Sequence, residues 1–128
     1  MLAQVNSMGG VPTVKYESSE ASSQDKIVIT CYLKYTIDPK KTKEFETYAK
    51  LWIPLVEQFG GQHHGYFLPS EGANDIALAL FSFASLADYE VYRKKSFKDE
   101  KCKAAFAYAD ESGCILRFER SFLKPILK

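Results

Sequence analysis

Residues 60–83 read GGQHHGYFLPSEGANDIALALFSF, and this stretch predicts a β-hairpin. A polar and aromatic strand over residues 62–69 leads through a turn into an apolar strand over residues 76–83. Gly, Pro, Ser, Asn and Asp are concentrated between the two strands, and these residues favour turns over strand interiors. The hairpin also holds His63 and His64, the only histidines of the chain. It therefore directs both the fold prediction and the search for a site.

The segments on either side of the hairpin complete a βαββαβ order. Strand segments alternate apolar and polar residues, while helical segments repeat apolar residues every three or four positions. Asp38 and Ser85 are placed to cap the two main helices. The flanking elements are predicted at residues 27–37 (strand), 38–59 (helix), 85–97 and 99–111 (helical pieces) and 114–122 (strand). This order predicts a ferredoxin-like α+β fold with antiparallel strands in the order 4-1-3-2 and helices on one face.

The sheet face without helices has a mixed polar and apolar character. One layer of helices leaves this face uncovered, and its apolar part is larger than a soluble monomer usually exposes. The residues expected there are Tyr32, Lys34, Ile76, Leu78, Leu80, Arg117 and Glu119. We therefore predict a homodimer in which two such sheets face each other.

Chain length, net charge and cysteine content limit the classes of partner and compartment. We expect a flexible leader over residues 1–26 and one folded domain over residues 27–128. The net charge of +1 gives no electrostatic reason to expect nucleic acid or a membrane surface as partner. The three cysteines lack metal-binding or redox spacing, which favours reduced thiols in the cytoplasm.

Three strings of the sequence resemble bacterial members of the NIPSNAP family. They are ITCYLKYTIDP, LWIPLVEQFGGQHHGYFLPSEGANDIALALFSF and CILRFERSFLKP, and the similarity extends over roughly residues 27–125. The resemblance implies a dimeric α+β barrel made of two ferredoxin-like subunits. It brings no established reaction and no agreed catalytic residues.

The alternation of side chains along each strand predicts which residues could form a site. Neighbouring strand residues point to opposite faces, so His63 and His64 cannot chelate a metal together, and we predict no metal and no cofactor. His64 and Tyr66 are predicted to share a face and are the candidate catalytic pair, unless a bulge at Gly65 reverses the assignment. The candidate ligand-binding residues on that side are Tyr32, Arg117 and Glu119.

Other conspicuous residues have a structural interpretation. Arg117 and Glu119 share a face, and an ion pair with Lys34, or with its equivalent in a partner subunit, is the alternative to a ligand clamp. Trp52, in an aromatic stripe of the first helix, is predicted to be core, and Cys31 is predicted to be a buried, unreactive thiol.

Two classes of function remain open from the sequence. One is the binding of a small molecule in a barrel or sheet–helix pocket, with a cofactor-independent enzyme of the monooxygenase or isomerase type as its catalytic form. The other is a non-catalytic interaction module whose interior is filled with side chains. The polarity and volume of the interior distinguish them.

Overall fold

The computed structural model of the protein describes residues 29–127. The leader predicted over residues 1–26 lies outside the described residues, as do the first two positions of the predicted first strand. The elements are β1 (Ile29–Ile37), a turn of 3-10 helix (Pro39–Lys41), α1 (Thr42–Gln58), β2 (Gln62–Phe67), β3 (Ile76–Phe83), α2 (Leu86–Ser96), α3 (Glu100–Ser112) and β4 (Ile115–Leu123). The predicted βαββαβ order is confirmed, with the second helical region divided into α2 and α3.

The four strands form one antiparallel sheet in the order β2-β3-β1-β4. This is the predicted order read from the other edge. The first hairpin strand ends at Phe67, two residues before the predicted end at Pro69. Proline has no backbone N–H to donate to a ladder, which explains why the strand pairing stops before it.

Local hydrogen bonds fix the helix starts. The Asp38 carboxylate accepts the Lys40 N–H at 2.9 Å, at the start of the 3-10 turn that leads into α1. The Ser85 hydroxyl accepts the Asp88 N–H at 3.0 Å at the start of α2. Both predicted caps are therefore confirmed, because each side chain satisfies a backbone donor that the first turn leaves unpaired.

One hydrophobic core joins the sheet to all three helices. Ile37 of β1, Phe45 and Val56 of α1, and Cys102 of α3 have less than 2% of their surface exposed. Tyr89 and Tyr92 join the same cluster from α2. All three helices therefore cover one side of the sheet, which we call the helix face.

The opposite side of the sheet is called the open face. The register places residues of β1 and β3 side by side on it, with Tyr32 opposite Leu80 and Lys34 opposite Leu78. Phe67 at one edge and Leu123 at the other are 50% and 46% exposed. The open face thus has the mixture of apolar and charged residues that the sequence predicts.

Candidate functional site

The two histidines lie on opposite faces because the hairpin contains a bulge. β2 has one more residue than the facing part of β3 between His63 and Gly65, so His64 lacks a direct partner in the ladder. Gly65 has a φ of +115°, a conformation that favours glycine. The extra residue shifts the alternation by one, so that Tyr66 lies on the helix face with His63. The prediction that His64 and Tyr66 share a face is therefore wrong.

His63 is enclosed on the helix face. Its ring is stacked on Tyr66 with centroids 5.0 Å apart and lies 5.5 Å from the Phe81 ring. Its Nδ1 accepts the Gly65 N–H at 2.9 Å, so the neutral ring carries its proton on Nε2, a buried atom without a hydrogen-bond partner among the described residues. Burial, and secondly the charge of His64, lower the pKa of His63 to about 4. The ring is thus uncharged at neutral pH.

His64 belongs to a chain of polar side chains on the open face. Its Nε2 lies 2.7 Å from the Ser82 hydroxyl, which lies 2.7 Å from the Thr30 hydroxyl. A serine beside a histidine is the arrangement of an activated nucleophile. Ser82, however, is only 1% exposed, so no substrate can reach its oxygen. The chain therefore connects β2, β3 and β1 as a structural network.

The candidate ligand-binding residues lie on the open face, where the sequence predicts them. Tyr32 belongs to this face in β1, while Arg117 is opposite Thr36 and Glu119 is opposite Lys34. The ion pairs found within residues 29–127 both lie inside helices, so the predicted pair between Lys34 and Glu119 is not formed. Of the two candidate catalytic residues, His64 shares the open face, whereas Tyr66 lies on the helix face.

A cavity lies on the helix face of the described residues. It is a cleft of about 680 Å³ between the sheet and the three helices, and we call it the sheet–helix cleft. Its apolar lining is mostly aromatic and includes Tyr35, Tyr48, Trp52, Tyr66, Phe81, Tyr89, Tyr92, Phe97, Phe106 and Phe118. The aromatic stripe of α1 is thus both core, as predicted, and one wall of a cavity.

Arginine side chains supply the charge of the cleft. Arg93 of α2 lies over the Phe97 ring at 5.0 Å, and Arg120 of β4 lies over the Phe118 ring at 5.2 Å. The Nε of Arg120 is buried and has no hydrogen-bond partner among the described residues. Arg117, which belongs to the open face, also borders the cleft from the edge strand β4, and Asp110 is the one acidic residue among the described lining residues. The described lining of the cleft therefore has a net positive charge.

Trp52 provides a second unpaired donor. Its indole Nε1 is buried without a partner in the described part of the chain, and its ring lies 5.0 Å from Phe106 and 6.3 Å from Tyr48. A buried N–H without a partner is costly, and a ligand acceptor is one way to satisfy it.

The phenol groups of the cleft remain protonated at neutral pH. Tyr35 and Tyr66 are stacked with centroids 6.3 Å apart, and burial raises the pKa of both well above the ordinary value. Burial likewise raises the pKa of Tyr48 to about 12. These hydroxyl groups can donate hydrogen bonds to a ligand but are poor proton acceptors.

Sequence reasoning missed Arg93 and Arg120 as residues of this cleft. β4 carries Arg120 between Phe118 and Phe122 on its otherwise apolar face. A charged residue among apolar ones on a strand face was the available signal. Arg93 gave no comparable signal, because it adjoins Lys94 and Lys95 at the basic end of α2.

Comparisons with known proteins agree with this fold. The sequence model of the NIPSNAP family matches residues 32–127. A NIPSNAP family protein of unknown function from Agrobacterium tumefaciens is similar in structure, with a TM-score of 0.67, 17% identity and coverage of 77% of this chain and 87% of that chain. Another NIPSNAP family protein from the same organism has a TM-score of 0.66 and 24% identity, covering 77% and 93% of the two chains.

A more distant structure shares only the fold. A candidate antibiotic biosynthesis monooxygenase from Nitrosomonas europaea has a TM-score of 0.61 at 6% identity and covers 77% of this chain and 99% of its own. A search among curated protein sequences gave no match. Within residues 29–127, every helix is too short or too polar to cross a membrane.

Proposed function

The chain belongs to the NIPSNAP family, and on that premise we propose that it binds a small, mostly apolar molecule in the sheet–helix cleft. The observation that carries the proposal is the cleft itself. Its volume of about 680 Å³ falls within the roughly 300–1,000 Å³ of ligand pockets. Aromatic walls with a few polar donors are also typical of such sites. The proposed ligand therefore binds on the helix face. The sequence predicts a site on the opposite, open face of the sheet.

The competing interpretation within the same class is a cofactor-independent enzyme. The fold is shared with the candidate monooxygenase described above, but at 6% identity that similarity concerns the fold alone. A general base needs a pKa close to the working pH. Burial raises the pKa of Tyr35, Tyr48 and Tyr66, and no imidazole lines the cleft in the described part of the chain. These observations favour binding over proton abstraction.

A non-catalytic interaction module is the alternative from a different class. Such a protein would fill its interior with side chains, as a close-packed core does. The cleft volume favours a ligand-binding protein over this alternative.

Trp52 makes the binding proposal directly testable. It is the one tryptophan of the 128-residue chain and it lines the cleft, so its fluorescence reports on that cavity. Titration with small alkyl and phenylalkyl compounds is expected to change the emission and to raise the melting temperature, because a ligand that binds only the folded state stabilises it.

Two substitutions on α3 form a matched pair for this titration. Ala109→Phe adds a ring at a lining position and is expected to abolish binding. Ala107→Phe adds the same ring at an exposed position outside the lining and is expected to leave binding unchanged. Equal binding by the two folded variants, or no binding by the unmodified protein, would contradict the proposed function.

The proposal includes a homodimer that covers the open face. Leu78 and Leu80 occupy its centre, and Phe67 is half exposed at its edge. Removing such surface from water is the main source of stability in subunit association. Face-to-face pairing of two sheets supplies the covering layer and leaves both clefts accessible on the outer, helix-covered sides.

We place the protein in the cytoplasm. Cys31, Cys102 and Cys114 are free and buried, and unpaired thiols suit a reducing compartment.

A further inference from the structure

We infer that the ligand of the sheet–helix cleft is an organic carboxylate whose anionic group is bound by Arg120 and Arg93. This inference rests on the proposed function and adds the chemical class of the ligand. The apolar part of the molecule lies against the aromatic walls, and its charged end lies between β4 and α2. The class comprises aryl, arylalkyl and medium-chain alkyl acids.

The charge balance of the cleft is the first argument. Among residues 29–127, the cleft is bordered by Arg93, Arg117 and Arg120 and by one acidic residue, Asp110. No carboxylate lies within 4 Å of these arginines among residues 29–127, where the ion pairs found are elsewhere. A cation in an apolar cavity is costly unless an anion compensates it. Among the described residues the cleft therefore carries more arginine than carboxylate charge, and an anionic ligand can balance it.

The aromatic rings hold the two guanidinium groups in place. Arg93 lies on Phe97 and Arg120 lies on Phe118, each at about 5 Å from the ring centroid. The planar fork of a guanidinium binds both oxygens of a carboxylate, and prior ordering of the side chain reduces the entropy lost on binding. The Arg120 guanidinium includes a buried Nε that has no hydrogen-bond partner among residues 29–127.

The two arginines act on the same part of the cleft. The positive charges of both lower the pKa of Cys31 and of Tyr89, although burial outweighs them and leaves each pKa raised. The charge of Arg120 also acts on Tyr48, whose ring is next to Trp52. An acceptor group beside Tyr89 is thus near both guanidinium groups.

Matched ligand pairs distinguish charge from shape. The probes are octanoate with octanamide, and 4-phenylbutyrate with 4-phenylbutanamide, titrated against Trp52 emission and by calorimetry. Each acid is expected to bind about tenfold or more tightly than its amide, as a charge-assisted hydrogen bond allows. Octylamine, with the same chain and the opposite charge, is expected not to bind.

Charge-matched variants locate the anion. Arg120→Gln is expected to remove the preference for acids and to leave amide binding unchanged, while Arg120→Lys retains part of the preference because it keeps the charge without the fork. Lys50→Gln, which removes a positive charge at an exposed position of α1, is the control and retains the full preference. Melting curves show which variants are folded. If a variant does not fold, the acid and amide pairs titrated against the unmodified protein still test whether the cleft prefers a carboxylate.

Two results would overturn the inference in different ways. Equal affinity for acids and amides, or tighter binding of the amine, rejects the carboxylate and leaves the proposed cleft function standing. Absence of binding by every acid, amide and amine rejects the cleft function and the inference together.

Discussion

The rings of His63 and Tyr66 are stacked with their planes 18° apart, although residues three positions apart in a regular strand point to opposite faces. The bulge at His64 and Gly65 produces this relationship. It turns Tyr66 toward the cleft and His64 toward the open face. One extra residue in β2 therefore decides which hairpin side chains reach the ligand-binding side.

Gly65→Ala tests the bulge. Nothing lies within 4 Å of an added Cβ, but the φ of +115° is strained for any residue with a side chain. We expect a loss of about 1–3 kcal/mol in the free energy of unfolding, measured by denaturant titration. Gln62→Ala in the same strand, at an exposed position, is the control and is expected to change stability little. Equal stability of the two variants would contradict the assigned backbone conformation.

His63 makes the stability of the fold depend on pH. Its pKa is about 4 in the folded state and 6.5 in its ordinary range, so between these values the unfolded chain binds a proton that the folded chain does not. Acidification from pH 7 toward pH 4 is therefore expected to lower the free energy of unfolding, with no further loss from this group below about pH 4.

Melting curves across that pH range, compared for two variants, check the assignment. His63→Phe keeps a ring beside Tyr66 but cannot titrate, so its acid-induced loss should be smaller than that of the unmodified protein. His64→Gln should retain most of the loss, because burial is the largest cause of the shift at His63. A pH profile that is unchanged in His63→Phe would contradict the buried, neutral imidazole.

The fold was accessible from sequence because its signals are local. Alternation of residue types placed Tyr32 and Lys34 on one face and Cys31 on the other, and cap residues such as Asp38 marked the helix starts. These signals depend only on the period of each element, and the sheet order followed from the sequence of elements.

The site was less accessible because it depends on non-local geometry. The sequence is compatible with a bulge at Gly65 but does not require one. Without the bulge, the regular alternation of side chains along the strand would put Tyr66 on the open face. Trp52 is correctly predicted to be buried, but whether a buried side chain faces other side chains or a cavity depends on how far the helices lie from the sheet.

The three cysteines are expected to be unreactive in the native protein. All are at most 2% exposed, and burial raises the pKa of Cys31 to about 11 despite the nearby charge of Arg120. Because the thiolate is the reactive form, a disulfide reagent such as Ellman's reagent should label none of them until the chain unfolds, and then all three. Ser70→Cys in the exposed turn is the positive control. Rapid labelling of the unmodified native protein would contradict the burial.

Leu80→Glu tests the homodimer. Leu80 lies between Tyr32 and Gly65 near the centre of the open face, so a carboxylate there would be buried between two sheets. An uncompensated buried charge costs about 3–5 kcal/mol, which is enough to dissociate the dimer or unfold it. Val91→Glu is the matched control, because Val91 is 49% exposed on α2, on the side of the molecule away from the open face. Sedimentation equilibrium should give a dimer for the unmodified protein and for Val91→Glu, and a monomer or unfolded chain for Leu80→Glu. A monomeric unmodified protein of ordinary stability would show that the open face tolerates water and that the sheets do not pair.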